Sequence, residues 1–228
     1  MISIIIPAYN AASTVEKCLK SICDQTLQDF EMIVVNDGST DKTNDKLLMA
    51  SKKWPNRIKI INQTNQGAPA ARNRGFKESK GEFLFFCDAD AVLKKDCLEK
   101  MLKILQTNPQ TSYAYSSFKF GWKTFRLWPF DEKKLKQMPY IHTMSLIRRA
   151  HFPGWDESIK KLQDWDLWLT MLEQGHIGVW IPKILFKIID TRGTISRWLP
   201  SFFYKLPWKT KSVRRYEEAM EIIKQKHH

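Results

Sequence analysis

A chain of 228 residues, 43% of them hydrophobic, can bury one substantial core, and its length excludes more than two domains. No apolar run approaches the roughly 18 residues of a membrane-spanning helix, and no internal repeat or low-complexity segment is present. The formal net charge of +13 favours anionic partners in general, and it is uneven: residues 1–100 carry 15 lysines and arginines against 13 acids, residues 101–228 carry 22 against 11.

The chain opens with Ile2-Ser3-Ile4-Ile5-Ile6, the pattern of a buried strand, which breaks at Pro7-Ala8-Tyr9-Asn10. Val15, Leu19 and Ile22 then recur at helical spacing. A second strand, Phe30–Val35, closes at Asn36-Asp37-Gly38-Ser39-Thr40-Asp41, where Ser39 or Thr40 is placed to cap the next helix. Ile58-Lys59-Ile60-Ile61 forms a third strand, followed by Asn65-Gln66-Gly67-Ala68-Pro69 and a helix carrying Ala70-Ala71-Arg72-Asn73-Arg74-Gly75. A fourth, Phe83–Cys87, ends in Asp88-Ala89-Asp90. Strands alternating with helices predict an α/β fold with a mostly parallel sheet flanked by helices, and such sheets bind ligands outside the carboxyl ends of their strands. Asp37, Arg72, Asp88 and Asp90 are expected to converge there.

Two carboxylates at a strand end suit a hard divalent cation, because Mg²⁺ or Mn²⁺ is commonly held by one or two carboxylates plus substrate phosphates. Alone, a triplet such as Asp88-Ala89-Asp90 is more often a turn or a helix cap than a metal site. The four cysteines, Cys18, Cys23, Cys87 and Cys97, lack zinc-site spacing and read as reduced, packed thiols. No G-x-G-x-x-G follows the first strand, which disfavours a dinucleotide-binding dehydrogenase.

The ordered set Pro7-Ala8-Tyr9-Asn10, Asn36-Asp37-Gly38-Ser39, Ala71-Arg72-Asn73, Asp88-Ala89-Asp90 and Gln163-Asp164-Trp165-Asp166-Leu167-Trp168 resembles glycosyltransferase family 2, of the GT-A fold, over residues 1 to about 197. The resemblance implies an inverting transfer, dependent on Mn²⁺ or Mg²⁺, of a sugar from a nucleotide diphosphate sugar, usually a UDP-sugar, to an acceptor hydroxyl on a glycan or lipid-linked molecule. It implies donor contacts from Pro7, Ala8, Tyr9, Asn10, Asp37, Gly67, Arg72, Asp88 and Ala89, with the metal on Asp90 and Asp88. Tyr9 would offer a ring face to the base and Asp37 would accept from a base N–H. Read singly, Tyr9 is a loop aromatic, Asp37 a turn former, Arg72 a solvated helix arginine and Gly67 a turn glycine.

A nucleophilic hydroxyl must lose a proton as it attacks, so a base is required across from the leaving group. The resemblance assigns that role to Asp164. The acidic residue usual before the base is replaced by Gln163, which removes a like charge. Asp166 competes, but residues two apart on a helix starting near Gln163 face different ways. Trp165 and Trp168 are expected beneath the site, Trp155 is open between packing and sugar contact, and His142 is expected in the core or behind the site. In Asp190-Thr191-Arg192-Gly193, Arg192 is either a diphosphate contact or a surface residue.

Residues 1–197 are thus expected to form the catalytic domain and 198–228 a basic, aromatic C-terminal tail. Trp198, Phe202, Phe203, Tyr204 and Trp208 interleave with Lys205, Lys209, Lys211, Arg214 and Arg215. Such a stretch either lies on an anionic membrane surface or folds back on the core; Glu217–Lys226 reads as a short terminal helix. With Met1 leading directly into a strand, the expected location is cytoplasmic, extending to a peripheral position at the inner face of the membrane. Two other classes compete. A nucleotide-sugar hydrolase or pyrophosphorylase would share the carboxylate site but needs no base in a Trp-rich helix, and a nucleic-acid-binding protein lacks a reading motif, so no nucleic acid partner is expected.

Overall fold

The structure, a computed structural model, describes residues 1–189 and 210–227. Its first half alternates strand and helix: β1 (Ile2–Ala8), α1 (Val15–Cys23), β2 (Phe30–Asp37), α2 (Thr43–Lys53), β3 (Ile58–Gln63), α3 (Ala68–Lys77) and β4 (Phe83–Phe86). Then come β5 (Ala91–Leu93), α4 (Cys97–Thr107), β6 (Tyr113–Phe120), β7 (Lys123–Phe125), α5 (Glu132–Gln137), β8 (Leu146–Arg148), α6 (Gln163–Glu173), β9 (Gly178–Ile188) and α7 (Lys211–Lys226).

Among the described residues nine strands form one sheet in the order β3-β2-β1-β4-β8-β6-β9-β5, with β7 paired to β6. The pairs β3-β2, β2-β1 and β1-β4 are parallel, as the alternation predicts. Beyond β4 the sheet becomes mixed: β8 is antiparallel to β4 and β6, β6 is parallel to β9, and β5 closes the far edge antiparallel to β9. Helices cover both faces of the parallel part, so β1 and β2 are near-continuous apolar runs rather than alternating ones. Helix α1 buries Val15, Cys18, Leu19 and Ile22, one stripe at helical spacing.

Two expectations are corrected. Neither Ser39 nor Thr40 caps α2, which begins at Thr43; Asp41 Oδ1 instead accepts from the Thr43 amide at 2.9 Å. Ser39 and Thr40 are committed across the loop, Ser39 Oγ accepting from the Asn10 amide at 3.1 Å and the Thr40 amide donating to Asn10 Oδ1 at 2.8 Å. The terminal helix is also longer than Glu217–Lys226, starting at Lys211 with Thr210 as its cap. Val213 and Ile223 on α7 are fully buried. The boundary at 197, Arg192 and the aromatics of 198–208 lie outside the described residues. No described helix is long and apolar enough to cross a membrane.

Helix α3 carries Arg72 and sits unusually close to the sheet. A Cβ added at Gly75 would lie 2.5 Å from Ile5 Cγ2 and 3.4 Å from Val35 Cγ2. Only a residue without a side chain allows this approach, and the approach sets the depth at which Arg72 reaches the strand ends. Gly75→Val is expected to destabilise the fold by about 1–3 kcal/mol through overpacking, whereas Lys77→Val on the exposed side of α3 stays within about 0.5 kcal/mol. Urea denaturation of the two variants measures this, and equal midpoints would show that the interface has slack.

Candidate active site

The first two strand ends build a rigid rim. After β1 the chain turns at Asn10, whose φ of 48° is left-handed; its Oδ1 accepts from the amides of Thr40 and Asp41, joining the loop after β1 to the loop after β2. Pro7 and Ala8 end β1 in register with Val35 and Asn36, and Tyr9 follows with 53% of its surface exposed at the rim. Asp37 is 2% exposed. Its Oδ1 accepts from Gln63 Nε2 at 2.8 Å and from the Gln66 amide at 2.9 Å, and its Oδ2 accepts from the Gly67 amide at 2.8 Å. A carboxylate offers about four acceptor positions, so one remains, on Oδ2. Gly67, at φ 94°, turns the chain into α3 and aims its amide at Asp37.

Arg72 is the hub of the opposite side. From α3 its Nη2 meets Asp88 Oδ1 at 3.0 Å and its Nη1 donates to Gln163 Oε1 at 3.0 Å, while the guanidinium lies over the Trp155 ring, 4.7 Å from the centroid. One side chain therefore ties α3 to the end of β4, to the first residue of α6 and to the loop before it. Asn73 holds that loop by backbone: its Oδ1 accepts from the Trp155 amide at 2.9 Å and its Nδ2 donates to the Trp155 carbonyl at 2.8 Å. Trp155, 5% exposed, packs edge-on against Phe86, so its face serves Arg72 rather than a sugar.

Asp88 and Asp90 differ in environment. Asp88 has Arg72 on one oxygen and His142 Nε2 3.9 Å from the other. Among the described residues Asp90 has no cation beside it; burial, reinforced by the charge of Asp88, raises its carboxyl pKa to about 7. Between them Ala89 is 7% exposed, and the Ile189 amide donates to the Asp90 carbonyl. Among the described residues no three carboxylate, imidazole or thiol groups converge to hold a metal. The donor set is two hard oxygen groups, one of them uncompensated, which fits a divalent cation whose remaining ligands come from phosphate and water.

Asp164 lies in the first turn of α6, half-buried, its Oδ1 accepting from the Trp165 amide at 2.9 Å. Burial raises its pKa, opposed by His142, by that amide and by Arg72. His142 Nδ1 accepts from the Met144 amide at 3.1 Å, which places the ring proton on Nε2, toward Asp88. Burial lowers its pKa, opposed by the charges of Asp88 and Asp164. Beside Asp164 and His142 opens a cavity of about 400 Å³ walled by Phe118, Phe125, Trp128 and Tyr140, with Arg126 at its lining.

Asp166 points elsewhere. It is 3% exposed and pairs with Lys226 and His227 of the C-terminal segment, as expected for a residue two positions from Asp164. Trp165 and Trp168 are fully buried, donating through their indole nitrogens to the carbonyls of Leu135 and Ile141. His176 stacks on His151, away from the site. Sequence reasoning missed the roles of Asn73 and Gln163 and the cavity walls; only the departure at Gln163 had marked its position as special.

The sequence matches the family described as Glycosyl transferase family 2 over residues 3–159. An uncharacterised glycosyltransferase of Rickettsia conorii is 31% identical over 207 residues, covering 85% of this chain, and chondroitin synthase of Pasteurella multocida is 32% identical over 191 residues, covering 77%. The chain spans 33% and 19% of the lengths of these two relatives. Among solved structures, S. aureus TarS 1-349 in complex with UDP superposes with a TM-score of 0.69 at 20% identity, covering 83% of this chain and 60% of that one. The mannosyltransferase PcManGT of Pyrobaculum calidifontis, in complex with GDP-Man and Mn²⁺, gives 0.71 at 20% identity, covering 84% and 58%. These likenesses show the GT-A fold, a sheet flanked by helices. With the family match covering most of the chain, the chain belongs to glycosyltransferase family 2.

Proposed function

We propose that the chain transfers a sugar from a nucleotide diphosphate sugar, with UDP as the nucleotide, to an acceptor hydroxyl, with inversion, in the assembly of a glycan or other glycoconjugate. The observation that supports this most is the pairing of two groups through Arg72: Asp88 and Asp90 follow the end of β4, and the same guanidinium reaches Gln163, the neighbour of Asp164, which lines an aromatic-walled cavity. The exposed Tyr9 and the spare acceptor position of Asp37 stand at the ends of β1 and β2, in the same parallel sheet as β4. The nucleotide and sugar ligands of the TarS and PcManGT structures, and the Mn²⁺ of the latter, support a nucleotide-sugar donor and a divalent cation.

In this mechanism Tyr9 stacks on the base and Asp37 Oδ2 accepts the uracil N3–H. Arg72 is already neutralised by Asp88, so its part is to hold that carboxylate at the strand end rather than to bring free charge. Asp88 and Asp90 would hold the cation, which when bound supplies counter-charge to the departing diphosphate. Asp164 takes the acceptor proton as the hydroxyl oxygen bonds to the anomeric carbon and the bond from that carbon to the phosphate oxygen breaks, its electrons leaving on the diphosphate. The raised pKa of Asp164 makes it a stronger base than an ordinary carboxylate. The cavity beside it favours transfer over hydrolysis, since water as acceptor needs no such room. A cytoplasmic chain attached peripherally to an anionic membrane surface remains part of the proposal, supported by the +13 charge and the aromatic-cationic stretch after residue 197.

Asp90→Asn keeps the side-chain shape but removes the charge that attracts a cation. Calorimetric titration of UDP with Mn²⁺ is expected to lose its metal-dependent component in the variant, and equal affinity in both proteins would remove the carboxylate pair from the donor site.

The raised pKa of Asp90 has a definite sign. The folded chain holds this proton more tightly than the unfolded chain does, so the group's contribution to stability is present below about pH 4 and is lost as pH climbs through about 7. Cation binding competes with that proton. Apparent Mn²⁺ affinity in the presence of UDP is expected to rise roughly tenfold per pH unit below 7 and then flatten; a flat profile from pH 5.5 to 8 contradicts the assignment.

Asp164→Asn is expected to lower kcat by roughly 10² to 10⁴ while donor affinity stays within about twofold. Near-normal turnover with the best donor and acceptor pair from a substrate screen would move the base elsewhere.

A further inference from the structure

Among the described residues the Asp164 side chain makes one hydrogen bond, accepting from the amide of its own neighbour Trp165, so its position is the position of the segment that bears it. That segment, 155–166, is held from two sides. In front stands α3: Arg72 bonds Gln163 and stacks on Trp155, and Asn73 bonds the Trp155 backbone and Glu157. Behind stands the end of α7. Lys226 Nζ lies 2.7 Å from Asp156 Oδ2 and 2.7 Å from Asp166 Oδ1, bridging the loop that follows Trp155 to the helix that carries Asp164. His227 adds a second bridge, its Nε2 2.9 Å from Asp166 Oδ1 and its Nδ1 2.7 Å from Glu173 Oε1.

The C-terminal contacts are built rather than incidental. The side chains of Asp166 and His227 are each 5% exposed, Val213 and Ile223 are fully buried on α7, and the Lys226 ammonium lies at the C-terminal end of the helix, where its dipole favours a cation. A carboxylate as buried as Asp166 persists only with a partner, and its partners here come from α7. Asp156 answers to the same cation, since its hydrogen bond with Lys226, together with those from Ser158, holds its carboxyl down at about 2.

We propose that Lys226, with His227 behind it, is a positioning residue: the C-terminal helix clamps the 155–166 segment against α3 and so fixes the place of Asp164 and the packing of Trp155 on Arg72. The catalytic unit then includes α7, although α7 contributes no group to the crevice. The claim about transfer rests on the glycosyltransferase reading above; the claim about the clamp does not.

The test compares the full chain with Lys226→Met, which keeps length and removes charge, and Lys226→Arg, which keeps both contacts. Hydrogen exchange followed by mass spectrometry is expected to quicken about tenfold or more across residues 154–168 in Lys226→Met, while β1 to β3 keep their protection, and to return in Lys226→Arg. Should Lys226→Met fail to fold, the pair Lys226→Met with Asp166→Asn removes the stranded buried charge and carries the same expectation. Turnover at saturating donor should fall about tenfold with donor KM within threefold, and recover in the arginine variant. Unchanged exchange across 154–168, or exchange rising equally through the whole chain, overturns the clamp, as does unchanged kcat in an otherwise active protein. If the unaltered chain transfers nothing, the transferase reading fails and the exchange pattern still decides the clamp.

Discussion

The Arg72 guanidinium organises this molecule. It arises from a helix brought against the sheet at Gly75, and it is shared among the carboxylate at the end of β4, the amide oxygen that opens α6 and the indole of Trp155. Sequence separations of 16 and 91 residues are thereby closed at one planar group. Arginine suits this because its fork satisfies two acceptors in one plane while its face remains free to stack. A lysine would keep the charge and lose the geometry.

Charge compensation then separates two neighbouring acids. Asp88 is paired with Arg72 and faced by His142, whereas Asp90, two residues on, has burial and a like charge and, among the described residues, no cation. The same triplet therefore yields one carboxylate that is structurally committed and one that no described cation meets. That asymmetry suits a site completed by a cation that arrives with the donor.

Gln163 falls into place in this arrangement. An acid at that position would lie next to Asp164 and against Arg72, drawing on a guanidinium already engaged by Asp88. The amide supplies the same oxygen to Arg72 without the charge, so Asp164 keeps burial as its dominant influence. On the reverse side of α6 an acid stands where partners reach it: Asp166 meets Lys226 and His227.

The sequence by itself determined the parallel half of the fold and the strand ends at which the candidate residues stand. Apolar runs ending in Pro7-Ala8-Tyr9-Asn10, Asn36-Asp37 and Asp88-Ala89-Asp90 carry local information, since strand period, turn chemistry and the alternation with helices all act within a few residues. The start of α6 at Gln163 and the division of Asp164 from Asp166 followed from helical geometry in the same way. The tertiary structure decided what depends on distant partners. It set the mixed strand order after β4, the commitment of Ser39 and Thr40 to Asn10 rather than to a helix cap, the packing of Trp155 on Arg72, and the attachment of α7 to α6. None of these has a local signature, because each is a choice among many chemically adequate partners that only chain topology brings within reach. A lysine four from a helix neighbour is legible in sequence; a lysine whose two carboxylates stand 60 and 70 positions away is assigned only by folding.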